Sequence, residues 1–124
     1  MTKKPVKRSE KVVTEIIDRL SAGETMVSIC SGEEMPTVRA VNQWCGQDGK
    51  LDDRVFRARR RGIMIQGEEA YEVQRAVSNG EVDADPKTLH ARITAANAIA
   101  HQALAKLSKL DARYRDKTEI AHVG

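Results

Sequence analysis

The spacing of apolar residues predicts two short helices near the start of the chain. The first lies between Ser9, a residue type that caps helix starts, and Gly23, which suits the position just after a helix end. A second helix is predicted from Thr25 until Gly32 interrupts it. The apolar residues at helical spacing are Val12, Val13, Ile16, Ile17 and Leu20 in the first helix and Met26, Ile29 and Cys30 in the second.

A third short helix is predicted from about Val38 to Cys45. Pro36 and Thr37 precede it, and both residue types favour the amino end of a helix. Its expected buried residues are Val38, Val41, Trp44 and Cys45. Its expected outward residues are Arg39, Ala40, Asn42 and Gln43. A polar loop over residues 46–50 should follow, with Asp52 or Asp53 as the cap of the next helix.

Two long helices are predicted in the rest of the chain. The first runs from Arg54 to about Val77, with Gly62 and Gly67 as weak points, and Asn79 and Gly80 end it. After an acidic turn, the second runs from Pro86 to about Leu110. Its apolar stripe, with Ile99 and Ala103 beside it, comprises Leu89, Ile93, Ala96, Ala100, Leu104 and Leu107.

These elements predict a mainly α fold in four segments. Residues 1–8 form a flexible basic arm, residues 9–50 a helix-turn-helix domain, and residues 51–110 a long helical hairpin for oligomerisation. Residues 111–124 form a short tail, in which residues 117–123 are a candidate β-strand. The stripe of the last helix would otherwise be the inner face of an intramolecular hairpin, but we expect an intersubunit surface because a thin monomer cannot hide it.

Positive charge is concentrated in the first half of the chain. Residues 1–61 hold 13 Lys and Arg against 9 Asp and Glu, whereas residues 62–124 hold 8 against 9. The two basic clusters are Lys3, Lys4, Lys7 and Arg8, and Arg54, Arg57, Arg59, Arg60 and Arg61. A polyanion such as nucleic acid is the natural partner of this half, although each cluster alone is equally typical of a solvated surface.

Composition and motifs argue against several classes of protein. Hydrophobic residues make up 40% of the chain and aromatic residues only 3%, which favours thin helical packing over a deep substrate pocket. The sequence has no P-loop, no nucleophile elbow and no metal-ligand spacing, so we expect no catalytic residue, no metal and no cofactor. Cys30 and Cys45 are typical of small buried hydrophobes. No apolar stretch approaches a membrane span, which indicates a soluble, intracellular protein.

The three short helices have the proportions of a helix-turn-helix unit. In such units the last helix enters the major groove of double-stranded DNA, and its outward polar residues meet base edges. Arg39 suits guanine, and Asn42 and Gln43 suit adenine. The pattern favours DNA binding, but a packed three-helix bundle without DNA contacts has the same periodicity.

Several short motifs, spread over nearly the whole chain, resemble those of bacteriophage terminase small subunits. In order, they are Gly23-Glu24, Ile29-Cys30, Met35-Pro36, Val41 to Trp44, Phe56 followed by Arg57-Ala58-Arg59, and Arg113-Tyr114-Arg115-Asp116-Lys117. Each motif is weak alone, but together and in this order they are specific. This family's small subunits recognise the packaging site of the viral genome in the host cell cytoplasm and deliver it to the large subunit, which holds the ATPase and nuclease.

The resemblance implies a role for each group of residues. The DNA-binding set would be Arg39, Asn42 and Gln43 with Lys3, Lys4, Lys7, Arg8, Arg57 and Arg60. The stripe from Leu89 to Leu107 would join subunits in a ring, and Tyr114 and Lys117 would contact the large subunit, although Tyr114 is also placed to pack on the preceding helix. Two other hypotheses are a dimeric helix-turn-helix transcription regulator and a scaffold that never meets DNA.

Overall fold

A computed structural model describes the backbone of residues 4–123 and the side chains of residues 4–115. In this part of the chain the elements are all helical, which confirms the predicted mainly α fold. They are α1 (Glu10–Ser21), α2 (Met26–Cys30), α3 (Val38–Gln47), α4 (Gly49–Ser78) and α5 (Pro86–Val123). The chain divides into two compact units, Met1–Gly62 and Ile63–Gly124, so that α4 contributes to both.

Hydroxyl side chains start the three short helices, as the sequence predicts. Ser9, Thr25 and Thr37 have extended backbones, and their side-chain oxygens accept hydrogen bonds from backbone N–H groups at 3.2, 3.1 and 3.1 Å. Each oxygen satisfies a donor that the first helical turn leaves without a partner. Gly23 follows α1 with a φ of 103°, a backbone region that residues with a Cβ rarely adopt.

The amino-terminal unit has one apolar core. Ile29 is fully buried at its centre, and Val13, Ile16 and Leu20 of α1 pack around it together with Val41 of α3. The first part of α4 adds three further residues to the same core, namely Leu51, Val55 and Ala58. Because these residues complete the core, the unit extends to residue 62, beyond the domain end at residue 50 that the pattern suggested.

The loop expected over residues 46–50 is nearly absent. Helix α3 continues to Gln47 and α4 begins at Gly49, which leaves Asp48 alone between them. The Asp48 carboxylate accepts hydrogen bonds from the N–H groups of Lys50 at 3.0 Å and Leu51 at 3.3 Å. Asp48 is therefore the cap of α4, and the assignment of that role to Asp52 or Asp53 was wrong because both lie inside the helix.

The carboxyl-terminal unit is a hairpin of α4 and α5. Ala70 of α4 and Ala96 and Ala103 of α5 are its buried residues, and the Gln74 side chain donates a hydrogen bond to that of Asn97. Gly80, with a φ of 71°, ends α4 as predicted. Small buried side chains allow the two helices to approach closely.

Helix α5 is longer than predicted. It begins at Pro86 as expected but continues through residues 111–123 instead of ending near Leu110. The candidate strand over residues 117–123 is therefore helical in the structure. Residues 111–123 contain neither glycine nor proline, and Ala, Arg, Lys and Glu favour the helix, so nothing local stops it.

Candidate nucleic-acid interface

Helix α3 presents a polar face to solvent. Arg39, Asn42 and Gln43 are exposed, and they recur at the spacing that places side chains on one side of a helix. The opposite side is fixed to the core: Val41 is buried, and Val38, Trp44 and Cys45 pack partly buried against the same cluster. The predicted division of this helix into an anchoring side and an outward side is confirmed for these residues, whereas Ala40, also expected to face outward, is half-buried.

The start of α3 is rigidly held. Pro36 is fully buried and Met35 is 4% exposed, so the turn before the helix is part of the core rather than a surface loop. Thr37 then caps the helix through the N–H group of Ala40. Since both the buried side and the cap are fixed, the outward side chains of α3 project from a preorganised helix, which is the arrangement that base readout requires.

The exposed face of α3 extends further along the helix than the sequence pattern predicts. Gly46 and Gln47 are exposed one turn beyond Asn42 and Gln43. Nothing lies within 4 Å of the position where a Cβ on Gly46 would stand, so the backbone is open to close approach there. This turn was not predicted, because α3 was expected to end at Cys45 and to be followed by a loop over residues 46–50.

The described part of the basic arm is tied to the end of α3. The Arg8 guanidinium donates to the Asp48 carboxylate at 2.7 Å, and Lys4 and Lys7 beside it are exposed. The hydrogen bond from Arg8, followed by those from the backbone of the first α4 turn, lowers the pKa of Asp48 below its usual value. This ion pair holds the arm next to the end of α3. Lys3, also assigned to the arm, lies outside the described residues.

Two of the arginines assigned to DNA binding lie on α4. Arg57 and Arg60 are exposed on the side of α4 turned away from Leu51, Val55 and Ala58, as a solvent-facing basic row requires. Arg57 forms an ion pair with Asp53, one turn earlier, at 3.1 Å. Arg57 and Arg60 belong to a different helix from the polar face of α3.

The residues assigned to subunit contact are not all accessible. Leu104 is 69% exposed, and Leu89, Ile93, Ala100 and Leu107 are half-buried. Ala96 is 3% exposed because it packs inside the hairpin, so its assignment to an intersubunit surface is corrected. Ala96 therefore belongs to the inner face of an intramolecular hairpin, which was the alternative prediction.

The tail residues assigned to the large-subunit contact lie on α5. Tyr114 is 39% exposed on the helix. Lys117 lies within the helix, but its side chain is outside the described residues. Neither residue is therefore part of the polar face of α3.

Two other kinds of site are not found in the described part of the chain. Its His, Cys, Asp and Glu residues form no group that could hold a metal ion. None of its helices combines the length and apolarity needed to cross a membrane. Neither Cys30 nor Cys45 forms a disulfide in the described part of the chain; Cys30 is buried and Cys45 is partly buried in the amino-terminal core, as predicted.

Comparison with known proteins identifies a family and a fold. The model of the family described as bacteriophage Sf6, terminase small subunit-like, matches residues 8–121. Comparison with curated proteins gives no match. Three solved structures, each of a single-residue mutant of the terminase small subunit gp1 of the bacterial virus Sf6, are similar over 88% of this chain.

The structural likeness is close although sequence identity is low. Two of the three structures have TM-scores of 0.62 and 0.61 at 21% identity, with 81% and 77% of their chains covered. The third has a TM-score of 0.58 at 22% identity, with 77% covered. At this identity the likeness establishes the helical fold, and the family match establishes the relationship.

Proposed function

The chain belongs to the Sf6 terminase small subunit-like family, and from that premise we propose that it binds the packaging site of a viral genome as an oligomeric ring and delivers this DNA to the large terminase subunit. The observation that carries the DNA-binding part is the polar face of α3, where Arg39, Asn42 and Gln43 project from a helix capped by Thr37 and anchored by Val41. Arg, Asn and Gln are the residue types that pair with guanine and adenine edges in the major groove.

Positioning contacts to phosphate come from the basic arm and from α4. Lys4 and Lys7 are exposed beside Arg8, whose pairing with Asp48 keeps the arm near the end of α3. Arg57 and Arg60 supply a second basic row. Contacts of this kind add affinity and orientation without reading sequence, so the two sets would act together with the face of α3.

The protein has no catalytic role in this proposal and no cofactor. ATP hydrolysis and DNA cutting belong to the large subunit, and Tyr114 and Lys117 are proposed to contact it. The work takes place in the cytoplasm of the infected host cell. A ring multiplies DNA contacts that are weak in one subunit, so a modest basic face per copy suffices.

Replacing the outward residues of α3 tests the DNA-binding part. The triple variant Arg39→Ala, Asn42→Ala, Gln43→Ala should bind the duplexes that the unmodified protein selects from a random-sequence pool at least about tenfold more weakly, because each base contact contributes roughly 1–3 kcal/mol of discrimination. A matched control, Lys11→Ala with Thr14→Ala, removes the same charge from exposed positions of α1. Gel-shift titration at low salt measures both, and circular dichroism checks their helicity.

Equal retention of DNA by the triple variant and the control would contradict the assignment of base contacts to α3. Sequencing the duplexes that the unmodified protein selects from the pool separates packaging from regulation. A palindromic consensus would favour the dimeric transcription regulator, whose two-fold symmetry its operator would share. No retention of any duplex at low salt would favour the scaffold.

A further inference from the structure

Gly46 stands in the middle of the outward face of α3. Counted around the helix from Arg39, with about 100° for each residue, Gly46 lies about 20° to one side. Asn42 lies about 60° to that side and Gln43 about 40° to the other. Gly46 is therefore nearly in line with Arg39, about two turns further along α3, at a point where the exposed face carries no side chain.

The fold gives no reason for a glycine at position 46. Among the described residues, Gly23 and Gly80 are the glycines with a positive φ, so Gly46 does not need the backbone freedom that glycine provides. A Cβ added at Gly46 would meet nothing within 4 Å, so close packing inside the chain does not require glycine either. Within a helix, glycine is also less stable than alanine, because it loses more backbone freedom on folding. Gly46 is therefore unfavourable for the isolated chain, which points to a partner outside it.

The place of Gly46 near the carboxyl end of α3 indicates which part of a duplex meets it. A recognition helix of this kind reads base edges with its amino-terminal residues, which here means Arg39. Gly46 lies about 10 Å further along the helix axis. The major groove is only about 12 Å wide, so the last turn of a helix that starts at the base edges reaches the sugar–phosphate backbone at the border of the groove.

Positive charge lies at the same end of α3. Asp48 follows the last residue of the helix and accepts the Arg8 guanidinium at 2.7 Å, which brings the basic arm with its exposed Lys4 and Lys7 to this end. The same pairing offsets the negative charge of Asp48, which is the acid nearest to Gly46 along the chain. The end of α3 therefore combines an open helix backbone with a basic surrounding, as contact with a phosphate strand requires.

We propose that a sugar–phosphate strand of the bound duplex lies directly against the backbone of α3 at Gly46. The inference rests on the DNA binding of the proposed function and adds a contact that no side chain of α3 makes. A side chain at position 46 would hold the strand away from the helix by at least the width of a methyl group. The absence of a side chain at Gly46 therefore sets how deeply α3 enters the groove, and with it the distance of Arg39, Asn42 and Gln43 from the base edges.

Enlarging residue 46 tests this contact. Gly46→Ala should bind the duplexes that the unmodified protein selects roughly 5- to 30-fold more weakly, as expected when a methyl group is forced into a close contact. Gly46→Leu should bind them more weakly still, because its side chain is larger. The preferred sequence should not change, since residue 46 reads no base. Gel-shift titration at low salt measures the affinities, and sequencing of the duplexes retained from a random-sequence pool gives the preference.

The control is Gly67→Ala, the same substitution within the part of α4 that belongs to the carboxyl-terminal unit, and it should bind DNA like the unmodified chain. Urea unfolding followed by circular dichroism separates a DNA contact from structural damage. Gly46→Ala should unfold at the same or a higher urea concentration than the unmodified chain, because alanine favours the helix and the added Cβ has open space. Weaker DNA binding without any loss of stability is a result that a purely structural role of Gly46 would not produce.

Three results would overturn the inference. Gly46→Ala that binds the selected duplexes as tightly as the unmodified chain would show that no strand approaches the helix there. A preference changed at one base pair would show that a base edge meets Gly46 instead, and a less stable Gly46→Ala would give the glycine a structural role.

Failure of the proposed function is recognised separately. Full retention of DNA by the triple variant of Arg39, Asn42 and Gln43, or no retention by the unmodified chain, would remove DNA binding by α3 together with this contact. A weakened triple variant beside an unaffected Gly46→Ala would remove only the contact at Gly46.

Discussion

At Gly62 the backbone of α4 passes directly against the end of α1. A Cβ at this position would overlap the carbonyl oxygen of Leu20 and would stand 3.1 and 3.2 Å from the Cα and N atoms of Gly23. All three neighbours are backbone atoms, which cannot rotate away as a side chain can. The pattern of residues marks Gly62 only as a weak point in a helix, but its environment makes glycine a requirement of packing.

Gly62→Ala should therefore destabilise the amino-terminal unit by about 1–3 kcal/mol, the usual cost of an overpacked contact. Gly67→Ala is the matched control in the same helix, because its Cβ would meet only the Ala103 Cβ at an ordinary 3.6 Å. The control should be neutral or more stable by up to about 1 kcal/mol, since alanine favours the helix. Urea unfolding followed by circular dichroism measures both, and equal effects would contradict the close approach at Gly62.

The start of α4 depends on the single residue that separates it from α3. Asp48 separates α3 from α4, caps the first turn of α4 and accepts the Arg8 guanidinium at 2.7 Å. The hydrogen bond from Arg8 is the largest cause of the lowered pKa of Asp48. A carboxylate whose pKa is lower in the folded chain stabilises the fold above its unfolded pKa, and this contribution is lost as pH falls through the folded value.

Asp48→Asn should therefore lower the free energy of unfolding at neutral pH, because the amide still caps the helix but no longer pairs with Arg8 as an anion. The deficit should shrink as the pH falls below about 4, the ordinary pKa of an aspartate, and disappear once Asp48 of the unmodified chain is also neutral. Urea unfolding over a series of pH values measures it. Asp18→Asn, at an exposed position of α1, is the control; an identical pH dependence there would show that Asp48 has no special role.

Helix starts with hydroxyl caps could be predicted because the signal is local. Ser9, Thr25 and Thr37 each bond to a backbone N–H three residues later, and an adjacent apolar run identifies them. The start of α4 was predicted wrongly because residues 46–50 are polar and include two glycines, a composition typical of a loop. The end of α5 was predicted too early. Residues 111–123 contain no signal that stops a helix, but the resemblance suggested a separate tail there.

For the whole molecule, the distribution of apolar surface predicts assembly. The carboxyl-terminal unit leaves Met64, Tyr71, Val73, Ile99 and Leu104 more than 40% exposed, whereas in the described part of the amino-terminal unit Val27 is the only large apolar residue so exposed. A unit that exposes so many large apolar side chains is typical of a subunit contact. The two units therefore suggest different tasks, with an apolar core beneath the α3 face that we propose binds DNA and a hairpin suited to partners.

The absolute mass in solution is the measurement that distinguishes the assemblies. Light scattering coupled to size exclusion at moderate salt should give a single species well above a tetramer, as the proposed ring requires. A stable dimer would instead support the transcription regulator with the hairpin as its dimerisation element. Repeating the measurement with the Arg39→Ala, Asn42→Ala, Gln43→Ala variant should give the same mass, because those residues lie outside the hairpin.

The sequence by itself determined the mainly helical fold, the caps of the short helices and the outward position of Arg39, Asn42 and Gln43 on α3. All of these follow from periodicity and from bonds between near neighbours in the chain, for which a few residues of context suffice. It also determined that Val41 and Trp44 anchor the side of α3 opposite Arg39.

Only the tertiary structure decided which long-helix residues are accessible and where each unit ends. The stripe from Leu89 to Leu107 is continuous in sequence, yet Ala96 is buried inside the hairpin and Leu104 is exposed. Likewise Leu51, Val55 and Ala58 complete the amino-terminal core although their helix continues into the second unit. The physical reason is that periodicity identifies an apolar side of a helix, but the neighbour that covers it comes from a distant part of the chain.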